Sequence, residues 1–307
     1  MGIRAGSASR RAAAAAFTLA AAVATAATST AASTAATGPH PGAAVVLQVS
    51  RGGQHATRDY WTRSRMASAT ALPAPQALRA GPAGAPPGAP SPVKFSGVPT
   101  VGALFFTTGT QAHFCTASVV NSRTANLVLT AAHCVYGSGP ASNIEFVPGY
   151  HHGKQPYGAW PVQRITVARG WQKSHDPDLD FAFLAVSPPA GTTRPIQSVT
   201  GGLWLGIDQG YAHPIEVIGY NNTQDTPIGC ATHSFEFRPT QMKFFCRAFW
   251  DGTSGGPWIV NYNSHSGSGT VIGVIGGYEQ GGDFPWASFS VYFGQPTLRL
   301  FLRAEQG

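Results

Sequence analysis

At 307 residues, 43% of them hydrophobic, the chain is long enough for a sizeable core in two lobes or domains of about 150 residues each. Its formal charge of +7 is uneven: residues 1–94 hold nine of the 20 Lys/Arg and one acidic residue, whereas residues 95–307 hold eleven basic and twelve acidic residues. The basicity therefore belongs to the front segment and is no evidence for nucleic-acid binding by the folded part, for which no nucleic-acid partner is expected.

The N-terminal stretch carries Arg4, Arg10 and Arg11, then an alanine-rich run from Ala12 to Ala27. A basic start, an apolar centre and small residues such as Ala24-Thr25-Ala26 read as a secretory signal peptide over 1–27. The run is short and only weakly apolar, so no stable membrane anchor is expected. Arg10-Arg11 leaves general and twin-arginine export both open. Residues 28–97 are rich in Ala, Gly and Pro, including Pro73, Pro75, Pro82, Pro86, Pro87, Pro90 and Pro92. Such composition buries little apolar surface, so this stretch is expected to be mostly flexible, as a linker or a pro-segment removed on maturation. Ala43 to Val49 has the texture of a strand.

From Val98 the texture changes to short strands divided by turn residues. Six are expected at 101–108, 114–120, 127–131, 144–147, 162–167 and 181–186. Six more are expected at 215–220, 234–237, 242–247, 258–260, 270–275 and 287–293, with a closing helix over 296–302. Two sets of six short strands, with no long amphipathic helix to cover a parallel sheet, predict an all-β fold of two packed six-stranded antiparallel barrels over 98–307.

Four cysteines lie in this part: Cys115, Cys134, Cys230 and Cys246. An even, small number behind a leader suggests two disulfides, and sequential pairing would close two short loops. A zinc site is the other reading, but no Cys-x-x-Cys spacing exists and the histidines are scattered. No metal and no cofactor are expected.

Three stretches carry chemistry. Gly252-Thr253-Ser254-Gly255-Gly256-Pro257 places a serine among glycines. That is the backbone a nucleophilic hydroxyl and an oxyanion-binding pair of amides require, although a simple Gly-Ser turn has the same composition. Thr130-Ala131-Ala132-His133-Cys134 follows an apolar strand, and a histidine there can take and return a proton at neutral pH. Asp180 opens the run Asp180-Phe181-Ala182-Phe183-Leu184, where a shielded carboxylate can orient an imidazole. Asp176 and Asp178 are its rivals, both in the loop around Pro177.

In the order His, Asp, Ser these stretches resemble the signatures of the chymotrypsin/trypsin-like serine proteases, over about Val98 to Leu302. Val101-Gly102-Ala103-Leu104-Phe105-Phe106 and the spacings resemble the compact secreted bacterial branch, including the glutamyl endopeptidases. The resemblance implies His133 as base, Asp180 as its partner and Ser254 as nucleophile. It further implies an oxyanion hole from the amides of Gly252 and Ser254, and a bridge Cys115–Cys134 beside the histidine. Substrate would pair with the strand ending Ile275-Gly276-Gly277, and Ala248 would stand at the base of the specificity pocket.

Two positions depart from the trypsin pattern. Thr253 replaces the aspartate that would pair with a new N-terminus, and Ala248 replaces the acid that would favour Lys or Arg. The substrate-pairing strand also lacks the histidine with which glutamyl endopeptidases hold an acidic side chain. An apolar or small residue before the scissile bond is therefore the expectation. The whole reads as a secreted, extracellular, monomeric serine endopeptidase acting on peptides or proteins. The alternatives are an inactive protease-fold binding module and an esterase on the same fold.

Overall fold

The computed structural model describes residues 43–73, 84–221 and 225–306; the expected signal peptide lies outside the described residues. Along the chain run β1 (Ala44–Gln48), α1 (Arg51–Tyr60), α2 (Arg63–Ser68), β2 (Thr70–Ala71), β3 (Val93–Lys94), β4 (Val101–Thr108), β5 (Gln111–Val120), β6 (Leu127–Thr130) and α3 (Ala132–Val135). There follow β7 (Ser142–Pro148), β8 (Trp160–Ala168), α4 (Arg169–Ser174), β9 (Ala182–Val186), α5 (Ile196–Thr200) and β10 (Trp204–Leu205). The chain ends with β11 (Pro214–Tyr220), β12 (Pro227–Arg238), β13 (Gln241–Phe245), β14 (Pro257–Asn263), β15 (Ser268–Val274), β16 (Ala287–Val291) and α6 (Gln295–Ala304).

The first six long strands close on themselves: the order is β8-β7-β4-β5-β6-β9, and β8 pairs again with β9. Closure removes the free edges that a sheet would otherwise present. The second six follow the order β15-β14-β11-β12-β13-β16. Its end strands approach through Gly276 N, which donates to Phe289 O at 3.0 Å. The all-β, two-lobed expectation is met, and β4 falls on its expected bounds. β12 is far longer than the stretch 234–237, because its first half contains Pro227 and Gly229, residues that read as strand breakers. Pro227 occupies the first strand position, where no ladder N–H is lost. A Cβ on Gly229 would meet Glu216 Oε1 at 2.6 Å, so the glycine leaves room for that side chain across the ladder.

The expectation that 28–97 is mostly flexible is corrected within its described part. β1 forms a five-residue antiparallel ladder with β8, from Ala44↔Ala168 to Gln48↔Arg164. α1 is capped by Ser50 Oγ, which accepts from Gly53 N, and α2 by Thr62 Oγ1, which accepts from Arg65 N. The reason is legible in β4, whose run Val101 to Thr107 is buried throughout instead of alternating with polar residues. Leu104 and Phe106 face the barrel core, while Ala103 and Phe105 face a second cluster containing Trp61, Met66 and Ala69. A barrel strand apolar on both faces needs an outer cover, and the front segment supplies it. Burying side chains such as Trp61 and Met66 stabilises this attachment by about 1.5–3 kcal/mol each.

Candidate active site

His133 lies in the single turn α3 that follows β6. Thr130 Oγ1 donates to Thr116 O at 2.8 Å, tying the end of β6 to β5. Cys134 is bridged to Cys115 of β5, with Cα atoms 6.3 Å apart, so the turn bearing the imidazole is pinned on both sides. The second bridge joins Cys230 to Cys246, which completes sequential pairing.

Asp180 follows a 3-10 turn at Pro177–Leu179 and is fully buried. Its carboxylate accepts three hydrogen bonds. His133 N donates to Oδ1 at 2.9 Å, His133 Nδ1–H to Oδ2 at 2.8 Å, and Gly277 N to Oδ2 at 2.9 Å. A carboxylate that engages Nδ1–H fixes the tautomer and leaves Nε2 as the basic nitrogen. The two rival acids are used elsewhere: Asp176 Oδ1 accepts from Asp178 N, and Asp178 Oδ1 accepts from Gln241 Nε2.

The serine turn is built from backbone. Gly252 has φ +96° and Gly255 φ +79°, a region L side chains rarely adopt. A Cβ on Gly255 would stand 2.2 Å from both Thr116 O and Thr130 Oγ1. The turn is thereby pressed against the end of β6, three residues before His133. Ser254 O accepts from Thr116 N at 2.8 Å and Gly252 O from Thr116 Oγ1 at 3.0 Å. Among the described residues the Ser254 hydroxyl has no hydrogen bond to His133, the loose geometry that ligand-free sites often show. Neighbouring amides are occupied, Thr253 N by Trp250 O and Gly256 N by Thr253 O. Among the described residues the amides of Gly252 and Ser254 have no acceptor.

A recess opens beside Ser254, lined by Phe249, Trp250, Ile275, Phe284 and Pro285 and by the polar residues Asp251, Gln280, Asp283 and Ser288. Of the residues expected to bind substrate, only Ile275 lines it. Ala248 is turned aside, with φ +58° and its carbonyl accepting from Asn221 Nδ2. Gly277 borders an adjoining recess with Trp171, His175 and Pro177. Both Gly276 and Gly277 sit in close quarters. A Cβ on Gly276 would meet Asp180 O at 2.9 Å, and one on Gly277 would meet Gln241 Oε1 at 2.4 Å.

Two joints escaped the sequence reading. Thr116, fully buried, binds Ser254, Gly252, Thr130 and Tyr220 at once, the last by accepting from Tyr220 N at 2.8 Å. Gln241, also fully buried, donates to Pro177 O and Asp178 Oδ1 and accepts from Tyr278 N. Neither belongs to a motif; only the position of Thr116 directly after Cys115 hinted at a role. One group of potential metal ligands occurs among the described residues, Cys115, His133 and Cys134. Its two sulfurs are spent on each other in the disulfide.

The crystal structure of the protease Anisep from Arthrobacter nicotinovorans superposes with a TM-score of 0.62 at 23% identity, covering 70% of this chain and 99% of that one. A thermostable serine protease, AL20, from an extremophilic microorganism gives 0.61 at 24%, covering 68% and 97%. An extracellular metalloprotease of Bacillus subtilis is 35% identical over 81 residues, which spans a quarter of its length and 26% of this chain. The family model described as Trypsin matches residues 91–285, which holds all three stretches singled out above. The chain belongs to the trypsin family, the serine endopeptidases that its motifs resemble.

Proposed function

We propose that the protein is a secreted serine endopeptidase that cleaves peptide bonds through an acyl-enzyme on Ser254. The observation that carries this reading is the buried Asp180 carboxylate, which takes both the ring and the backbone N–H of His133. In the first step the Ser254 Oγ–H proton passes to His133 Nε2 as the Oγ–C bond forms. The imidazolium then returns that proton to the leaving amine as the C–N bond breaks. Water repeats the sequence on the ester and restores Ser254. The free amides of Gly252 and Ser254 hold the oxyanion, where each donor contributes about 2.7–4 kcal/mol. Export is supported by the basic and alanine-rich leader and by two disulfides.

Ser254→Ala is expected to lower kcat on peptide substrates about a million-fold. A fluorophosphonate probe should label the parent protein at Ser254 and leave the variant unlabelled. Casein hydrolysis that survives the substitution would overturn the assignment.

A further inference from the structure

Two strands flank the serine turn. On one side β15 and its continuation hold it, Gly255 N donating to Ile275 O at 2.7 Å and Ile275 N to Gly256 O at 2.9 Å. On the other side stands β5, through Thr116 N and Ser254 O. The Phe114 ring abuts Gly252, where a Cβ would stand 2.5 Å from Cε2. A peptide whose acyl part runs along Ile275–Gly277 carries the residues after the scissile bond toward β5 at 112–114. That edge is already taken. β2 pairs there in parallel, Thr70 with His113 and Ala71 with Phe114, and Leu72 N donates to Phe114 O at 3.2 Å. Thr70 Oγ1 adds contacts to His113 Nδ1 at 3.2 Å and Ala112 O at 3.4 Å. The contact is anchored from behind: Met66 and Ala69 are buried against Phe105 and Phe114, and β1 is laddered to β8.

We propose that Thr70–Leu72 is a built-in competitor for the leaving-group side of the cleft. It makes the full chain selectively slow on peptides that continue past the scissile bond. The proposal rests on Ser254 being the nucleophile of a peptidase. It is an exclusion by strand addition: the backbone groups of β5 that a substrate would use are satisfied by the chain itself.

The test compares two substrates with one acyl part, an anilide whose leaving group is a single aromatic amine and a peptide extended three residues past the same bond. In the full chain, Leu72→Pro removes the N–H that reaches Phe114 O, in an extended segment that tolerates proline. It should raise kcat/KM on the extended peptide about two- to tenfold, the range for one net hydrogen bond, and leave the anilide unchanged. Leu72→Ala, which keeps the N–H, should change neither. Anilide turnover reports that the Leu72→Pro protein has folded. Should it not fold, Thr70→Val, which deletes only the hydroxyl contacts, should give a smaller gain of the same selectivity. Equal gains on both substrates, or none on the extended peptide, would overturn the proposal. A chain that is labelled at Ser254 and cleaves the extended peptide as fast as the anilide overturns the competitor alone. One that turns over neither substrate and takes no label overturns the peptidase reading with it.

Discussion

The two lobes contribute to the site by different physical means. The first is a closed barrel that offers side chains, His133 and Asp180, each locked by hydrogen bonds and, beside the histidine, by a disulfide. The second offers backbone: a turn whose glycines adopt φ values closed to other residues and whose amides are left without acceptors. Chemistry that needs a proton shuttle draws on the first kind of rigidity, and chemistry that needs an oxyanion held draws on the second. Conservative side-chain changes should therefore damage the first lobe's contribution, whereas the second lobe's should fail on adding a single methyl group.

Of the changes that separate the two lobes, Asp180→Asn has the larger expected effect. The amide cannot accept both His133 donors as the carboxylate does, the tautomer is lost, and kcat should fall about ten-thousand-fold with KM little changed. Steady-state kinetics on a peptide substrate decide it, and a loss below tenfold would mean that Asp180 is only structural. Gly255→Ala probes the second lobe. The added methyl has nowhere to go between Thr116 O and Thr130 Oγ1, so the serine turn must shift. A displacement of that kind costs about a hundredfold in kcat. If Gly255→Ala were harmless while Asp180→Asn was severe, the division of labour between the lobes would be wrong.

The smallest effect sharpens the comparison at its edge. Glu145 of β7 is buried. Burial pushes its pKa from 4.5 to about 8, against the opposing pull of Arg58 on α1. Between those values the folded chain keeps a proton that the unfolded chain has released. This contribution is fully present below the unfolded value and is lost as pH rises through the folded one. Glu145→Gln, neutral at every pH, should raise the thermal midpoint by a few degrees at pH 9 and leave it nearly unchanged at pH 4.5. A pH-independent difference in scanning calorimetry would place the effect in packing instead.

The legible parts of the sequence were those in which one residue type dictates one geometry. β4 could be read from a run of apolar residues, and the three chemical stretches from a glycine-flanked serine and from single titratable residues beside apolar strands. Asp180 was separable from Asp176 and Asp178 because only it touches the start of a buried strand. The front segment was misread because its average composition hides a local pattern. α1 contains Gly52 and Gly53 and owes its existence to the Ser50 cap and to packing on β7, neither of which propensity reveals. The positive φ of Ala248, and its place outside the lining of the recess beside Ser254, are backbone features that no residue type announces. Thr116 and Gln241 work by joining segments distant along the chain, so no window of sequence could expose them.

The ladder between β1 and β8 bears on how the protein can be handled. Residues 164–167 of β8 are served by β9 on one flank and β1 on the other. A recombinant fragment trimmed to the span 91–285 would strip one flank bare and leave the alternate N–H and C=O groups along it without a neighbour. Such a fragment would self-associate into insoluble material, and the safe place to cut lies upstream of Ala44.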